Sequence, residues 1–181
     1  MSKANAHFHI LSEQSICIAI GGISRSGKTF LSKMLNEQIP ESIIIHQDEH
    51  IPDQDIIPRI NQHIDWETPL AIDWDSFGEA IAQAKNAYKF VFVEGLFVYY
   101  KPELNKYYDR KVFITISEKE FMNRKHNDLR WGREPEWYIK HIWEGHQRFG
   151  KLPEQFTDAL MIDGEMDFNV EEIIQQLEIL K

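Results

Sequence analysis

Residues 22–29 read Gly22-Ile23-Ser24-Arg25-Ser26-Gly27-Lys28-Thr29, a G-x-x-x-x-G-K-T pattern, and no other stretch limits the fold as much. The apolar run Ile16-Cys17-Ile18-Ala19-Ile20 precedes it, and Leu31, Met34, Leu35 and Ile39 follow at helical spacing. A strand, a glycine-rich loop and a helix in that order make a phosphate cradle. The glycines let consecutive backbone N–H groups turn inward around phosphate oxygens, and the helix N-terminus adds partial positive charge. Lys28 then reaches the β- and γ-phosphates, and Thr29 offers its hydroxyl to Mg²⁺. Residues 22–29, with Phe30 in the first helical turn, are the expected site for ATP and Mg²⁺.

The same rhythm of apolar runs and helical patterns continues along the chain. Ile43-Ile44-Ile45 predicts a second strand ending at His46-Gln47-Asp48, and Phe90-Val91-Phe92-Val93 a third ending at Glu94-Gly95. Val112–Ile116 and Ala159–Ile162 predict a fourth and a fifth. Ser76-Phe77-Gly78-Glu79 has capping-box spacing, with Phe77, Ala80, Ile81, Ala84 and Tyr88 as the inner face of a helix. Further helices are expected over 118–127, from Pro135 onward, and at the C-terminus with Val170, Ile173, Ile174, Leu177 and Leu180 along one stripe. Pro52, Pro58 and Pro69 argue against regular structure in the connection between the second strand and the capped helix.

Strands that are apolar throughout belong to a parallel sheet covered on both faces. The expected fold is a three-layer α/β/α domain with a five-stranded parallel sheet, spanning 16–181 behind a loose tail at 1–15. Ligands of such sheets bind at the carboxyl ends of the strands, so the phosphate loop, Asp48 and Glu94 should meet in one cleft.

Lys plus Arg number 20 against 29 Asp plus Glu, a formal charge of −9, which argues against nucleic acid or an anionic membrane as partner. The single cysteine, Cys17, lies in an apolar run and is read as a packing residue. No apolar run is long enough to span a bilayer, so a cytoplasmic monomer or homodimer is expected.

Phosphoryl transfer to an alcohol needs a phosphate cradle, a metal held by acids, a carboxylate near the attacking hydroxyl, and a cover against water. Asp48 suits the base, and Glu94 suits a carboxylate that orients Mg²⁺. Arg124, Lys125, Arg130 and Arg133 form a basic island in an acidic chain, opposed up to residue 133 only by Asp128, and suit a lid at about 124–135. Between 48 and 75 there are eight acids and one base, Arg59. There Asp75 suits a ribose diol and Trp74 offers a flat face to a ring, a cationic one in particular. Three readings stand at this level: a small-alcohol kinase, a uridine, cytidine or pantothenate kinase, and a nucleotide-regulated switch. The Asn-Lys-x-Asp pattern that reads guanine is absent.

From residue 16 onward the chain resembles the nicotinamide riboside kinases, relatives of the uridine kinases. The resemblance is carried by Gly22–Thr29, Gln47-Asp48, Trp74-Asp75, Phe92-Val93-Glu94-Gly95-Leu96-Phe97, Tyr100-Lys101-Pro102, Phe113–Ile116, Arg124-Lys125, His141-Ile142-Trp143 and Asp163-Gly164. It implies a P-loop kinase that phosphorylates the 5′-hydroxyl of nicotinamide riboside, giving nicotinamide mononucleotide. By it Asp48 is the proton acceptor and helps hold Mg²⁺ with Thr29, and Arg124 contacts ATP from the lid. Lys125 contacts substrate, Trp74-Asp75 hold the riboside, and Trp131 supplies a second face for the pyridinium beside Arg130. The lid segment Leu129–Arg133 is spaced differently from the family's.

Overall fold

The computed structural model describes residues 15–130 and 132–180. In chain order it runs β1 (Ile16–Gly22), α1 (Lys28–Gln38), β2 (Ser42–His46), a hairpin of β3 (Arg59–Ile60) and β4 (His63–Ile64), α2 (Trp74–Ala87), β5 (Phe90–Gly95), the single turn α3 (Pro102–Asn105), β6 (Arg110–Thr115), α4 (Glu118–His126), α5 (Glu136–Gly145), β7 (Leu160–Asp163) and α6 (Val170–Leu177). The five long strands form one parallel sheet in the order β2-β5-β1-β6-β7.

Alternation along each strand decides which layer a residue joins. Ile18, Ile20, Phe92 and Ile114 pack on one face against Leu31 and Leu35 of α1 and Val170, Ile173 and Leu177 of α6. Cys17, Ala19, Val91, Val93 and Phe113 pack on the other against Phe77, Ile81 and Ala84 of α2. Helix, sheet and helix therefore make the three expected layers. Full burial of a side chain such as Phe77 or Phe92 is worth roughly 1.5–3 kcal/mol. A third cluster joins Ile23 of the phosphate loop to Phe121 of α4 and Tyr138, Ile139 and Ile142 of α5, so these two helices are anchored on that loop.

Several local expectations are corrected. Helix α2 begins at Trp74, capped by the Asp73 side chain, which accepts from Ser76 N at 3.0 Å. A carboxylate one turn earlier had priority over the Ser76 hydroxyl, which instead bonds His50 Nδ1 at 2.8 Å. Tyr88 is the exposed C-cap of α2 and not part of its inner face. In α6 a left-handed Glu178 ends the helix, so Ile179 turns inward and Leu180 stays exposed. Met161 of the edge strand β7 is exposed, and only the other side of that strand is covered. The proline-rich connection is not irregular throughout: besides the hairpin it holds short 3₁₀ turns at Gln47–Glu49, Gln54–Ile56 and Pro69–Ala71. Cys17 is fully buried, and burial pushes its thiol up to about 12, as suits a packing residue. Among the described residues, no helix is long and apolar enough to cross a membrane.

Candidate active site

Gly22, at φ 146°, turns the chain out of β1, and a Cβ there would meet the Ile114 carbonyl oxygen at 2.5 Å. The loop thus lies hard against β6, which only glycine allows. Lys28 is buried at the start of α1, and its Nζ donates back to the Ile23 carbonyl at 2.9 Å. Burial holds its ammonium below the usual range, opposed by the fields of Glu94, Asp48 and Glu67. The Ser26 hydroxyl is fully buried and finds no partner among the described residues. A buried cation with one backbone acceptor and an orphaned hydroxyl inside a glycine loop suit the oxygens of a polyphosphate.

Strand register brings the acids to this loop. On the sheet, Glu94 of β5 pairs with His46 of β2 on one side and Ile20 of β1 on the other. Glu94 Oε1 accepts from the Thr29 hydroxyl at 2.8 Å and lies 2.8 Å from His46 Nδ1. Burial alone would raise the Glu94 carboxyl, but His46, Lys28 and Thr29 outweigh it and hold the group below its ordinary value. Asp48, in the turn after β2, is held above the usual range by partial burial and then by Glu94. One ring nitrogen of His46 and one oxygen each of Asp48 and Glu94 lie within 4.8 Å of one another, a donor set that fits a divalent cation beside Thr29. Asp48, Glu94, Thr29 and Lys28 are thus brought together as the sequence implied.

Residues of the basic island also reach the loop. Arg124 of α4 donates to the carbonyls of Arg25 at 3.0 Å and Gly164 at 2.8 Å, while its Nε bonds Glu120 at 2.6 Å. Lys125 is buried and paired with Glu134. Arg130 forks onto Asp128 at 2.8 and 2.7 Å, and Arg25 of the loop approaches the same carboxylate at 3.7 Å. These contacts hold the Asp128 carboxyl far below its usual range, the Arg130 hydrogen bonds contributing most. The basic island is therefore largely paired. Trp131 lies outside the described residues.

Chain comparison agrees with this geometry. No family profile matches the chain. In sequence it is 24% identical over 170 residues to nicotinamide riboside kinase 2 of Mus musculus, covering 82% of this chain and 87% of that one. In fold it matches a possible uridine kinase from Bacillus stearothermophilus (TM-score 0.57, 18% identity, 86% of this chain and 92% of that one). It also matches shikimate kinase from Aquifex aeolicus (TM-score 0.53, 19% identity, 90% and 96%). The chain is similar to nicotinamide riboside kinases. Its fold is that of the P-loop kinases among the solved structures.

The acceptor side departs from expectation. The Trp74 Nε1–H donates to the Pro69 carbonyl at 2.8 Å, and its ring stacks on Tyr100 at 5.9 Å between centroids. Lys101 Nζ stands 5.6 Å from the same ring. These contacts fasten the start of α2 to the turn before it and occupy part of the ring expected to face the substrate. Asp75 is exposed in the first turn of that helix. What ties this end of α2 to the cleft is the bond from Asp73 N to the His50 carbonyl at 2.9 Å, two residues past Asp48.

Two further residues were passed over. His46 carried a signal, as the first polar residue after an apolar run, in the same position as Glu94. Glu67 carried almost none, being one acid among eight. It is buried, its backbone packs so closely on α5 that a Cβ at Gly145 would lie 2.8 Å from its carbonyl oxygen, and its carboxylate forms no hydrogen bond among the described residues. Burial pushes that carboxyl up to about 7, against the fields of Lys125 and His141 and with those of Asp65 and Glu134. Asp65 itself is fastened to His141 at 2.7 Å.

Proposed function

We propose that this chain is an ATP- and Mg²⁺-dependent kinase that phosphorylates the 5′-hydroxyl of nicotinamide riboside. The observation that carries the reading is the meeting of Lys28, Asp48 and the Thr29–Glu94 pair at the carboxyl ends of β1, β2 and β5. In the transfer, the bond from the γ-phosphorus to the bridging oxygen breaks and a bond from the riboside oxygen forms. Asp48 takes the hydroxyl proton, and ADP leaves with the bridging oxygen's electron pair. Lys28 follows the charge on the β- and γ-oxygens, and Arg124, already docked on the loop, stands ready to neutralise charge on the phosphoryl group in flight. When bound, Mg²⁺ screens the triphosphate; Thr29, Asp48 and Glu94 would hold it.

For the acceptor, the unbonded carboxylate of Glu67 is the better partner for a ribose diol than exposed Asp75. Similarity to the nicotinamide riboside kinases is what favours a nicotinamide base over uracil. The test is a panel of acceptors with purified protein, ATP and Mg²⁺, read by product chromatography. Nicotinamide riboside should be turned over best, and faster phosphorylation of uridine or cytidine would replace this substrate. ATP binding without phosphorylation of any small alcohol would replace the kinase reading itself.

A further inference from the structure

We propose that His46 belongs to the cation site, and that its imidazole beside Asp48 and Glu94 makes the site favour a transition-metal ion such as Mn²⁺ over Mg²⁺. The inference deepens the kinase reading, since it concerns the cation that the same cleft would use.

His46 is placed there by parallel register, as the residue directly beside Glu94 at the carboxyl edge of the sheet. Around a small octahedral ion, with bonds of about 2.0–2.1 Å, ligands sit roughly 3 Å apart when adjacent and about 4.2 Å apart when opposite. Three donor atoms within 4.8 Å of one another need only small side-chain adjustments to reach that spacing. His46 Nδ1 lies 2.8 Å from Glu94 Oε1. That separation is close to the spacing of adjacent octahedral ligands, so an ion held by Nδ1 and Oε1 would take the place of the proton the two atoms share. Mg²⁺ takes oxygen ligands and keeps its waters, whereas imidazole suits first-row transition ions. With two carboxylates and no imidazole the site would be neutral in this choice; with His46 it is not.

The experiment uses the whole nucleotide-free chain and two metals. Mn²⁺ binding is followed by electron paramagnetic resonance, with pulsed measurements for nitrogen coupling to the bound ion. Mg²⁺ affinity is obtained by competition, and the His46→Asn variant is compared after its folding is checked by circular dichroism. The expected result is imidazole nitrogen coupling in the wild type that disappears in the variant. Mn²⁺ affinity should fall about tenfold or more, while Mg²⁺ affinity stays close to the wild-type value. Wild-type Mn²⁺ without nitrogen coupling would overturn the proposal, with no need of the variant. So would coupling that survives in His46→Asn, which would come from another histidine, or equal weakening of both metals, which would make His46 only a prop for Glu94. Nitrogen-bound Mn²⁺ in a protein that phosphorylates no riboside would support the site and overturn the kinase reading. Riboside phosphorylation without nitrogen coupling would do the reverse.

Discussion

In the proposed transfer Asp48 takes the hydroxyl proton, and its surroundings say what removing its charge should do. It sits on a one-turn 3₁₀ segment, its carboxyl held up by partial burial and by Glu94, while the cradle around Lys28 is built by separate residues. Asp48→Asn should therefore lower kcat by on the order of 10²- to 10⁴-fold and leave the affinity for an ATP analogue close to wild type. Turnover assays paired with calorimetric titration would check this, and near-normal turnover would remove Asp48 from the proton transfer. Asp48 was legible as a residue because it ends an apolar run beside a phosphate loop. Glu67 was not, since an acid's burial depends on which helix packs over it, here α5 at Gly145.

At the level of elements, α2 and α4 show two ways of tying a helix to the cleft. The first turn of α2 is held by the Asp73 cap, the Trp74 bond to Pro69 and the stack on Tyr100. Trp74→Ala should cost about 2 kcal/mol of stability in denaturant unfolding and leave the KM values for riboside and ATP close to wild type. A large rise in the riboside KM alone would restore Trp74 to the pocket. Helix α4 is held at its far end by Arg124, whose guanidinium reaches Glu120, Arg25 and Gly164 in three directions. Arg124→Ala should lower kcat on the order of 10²-fold, and Arg124→Lys should rescue little, because an ammonium cannot reproduce the fork. Steady-state kinetics of both variants would check it. The helices themselves were readable from apolar spacing. Their partners were not, as the displaced cap at Asp73 and the pairing of Arg130 with Asp128 show.

Across the whole molecule, two buried titratable groups pull the pH profile in opposite directions. The Glu67 carboxyl sits at about 7 in the fold against an ordinary 4.5, so the folded state holds a proton that the unfolded chain releases. Its contribution is full below about 4.5 and is lost as pH rises through 7, by up to about 3 kcal/mol. His146, which stacks on Phe113, is driven down to about 4 by burial and then by Lys28 and Lys151. Its contribution is full above 6.5 and is lost as pH falls through 4. Between about 4.5 and 6.5 the two nearly cancel. Glu67→Gln should therefore gain stability as pH rises across that window, and His146→Gln should lose it, in urea unfolding at a series of pH values. Parallel profiles for the two variants would refute the assignment.

What the chain determined unaided was everything local. The glycine-lysine loop requires a strand before it and a helix after it, which neighbours in sequence supply, and a continuously apolar run requires cover on both faces whatever the partners turn out to be. The three-dimensional packing decided which polar groups share a cleft and which are consumed by one another. Strand register set His46 beside Glu94, helix α5 closed over Glu67, and Tyr100 with Lys101 claimed part of the face of Trp74. Those outcomes depend on contacts between residues far apart along the chain, and no local pattern encodes the distance at which they meet.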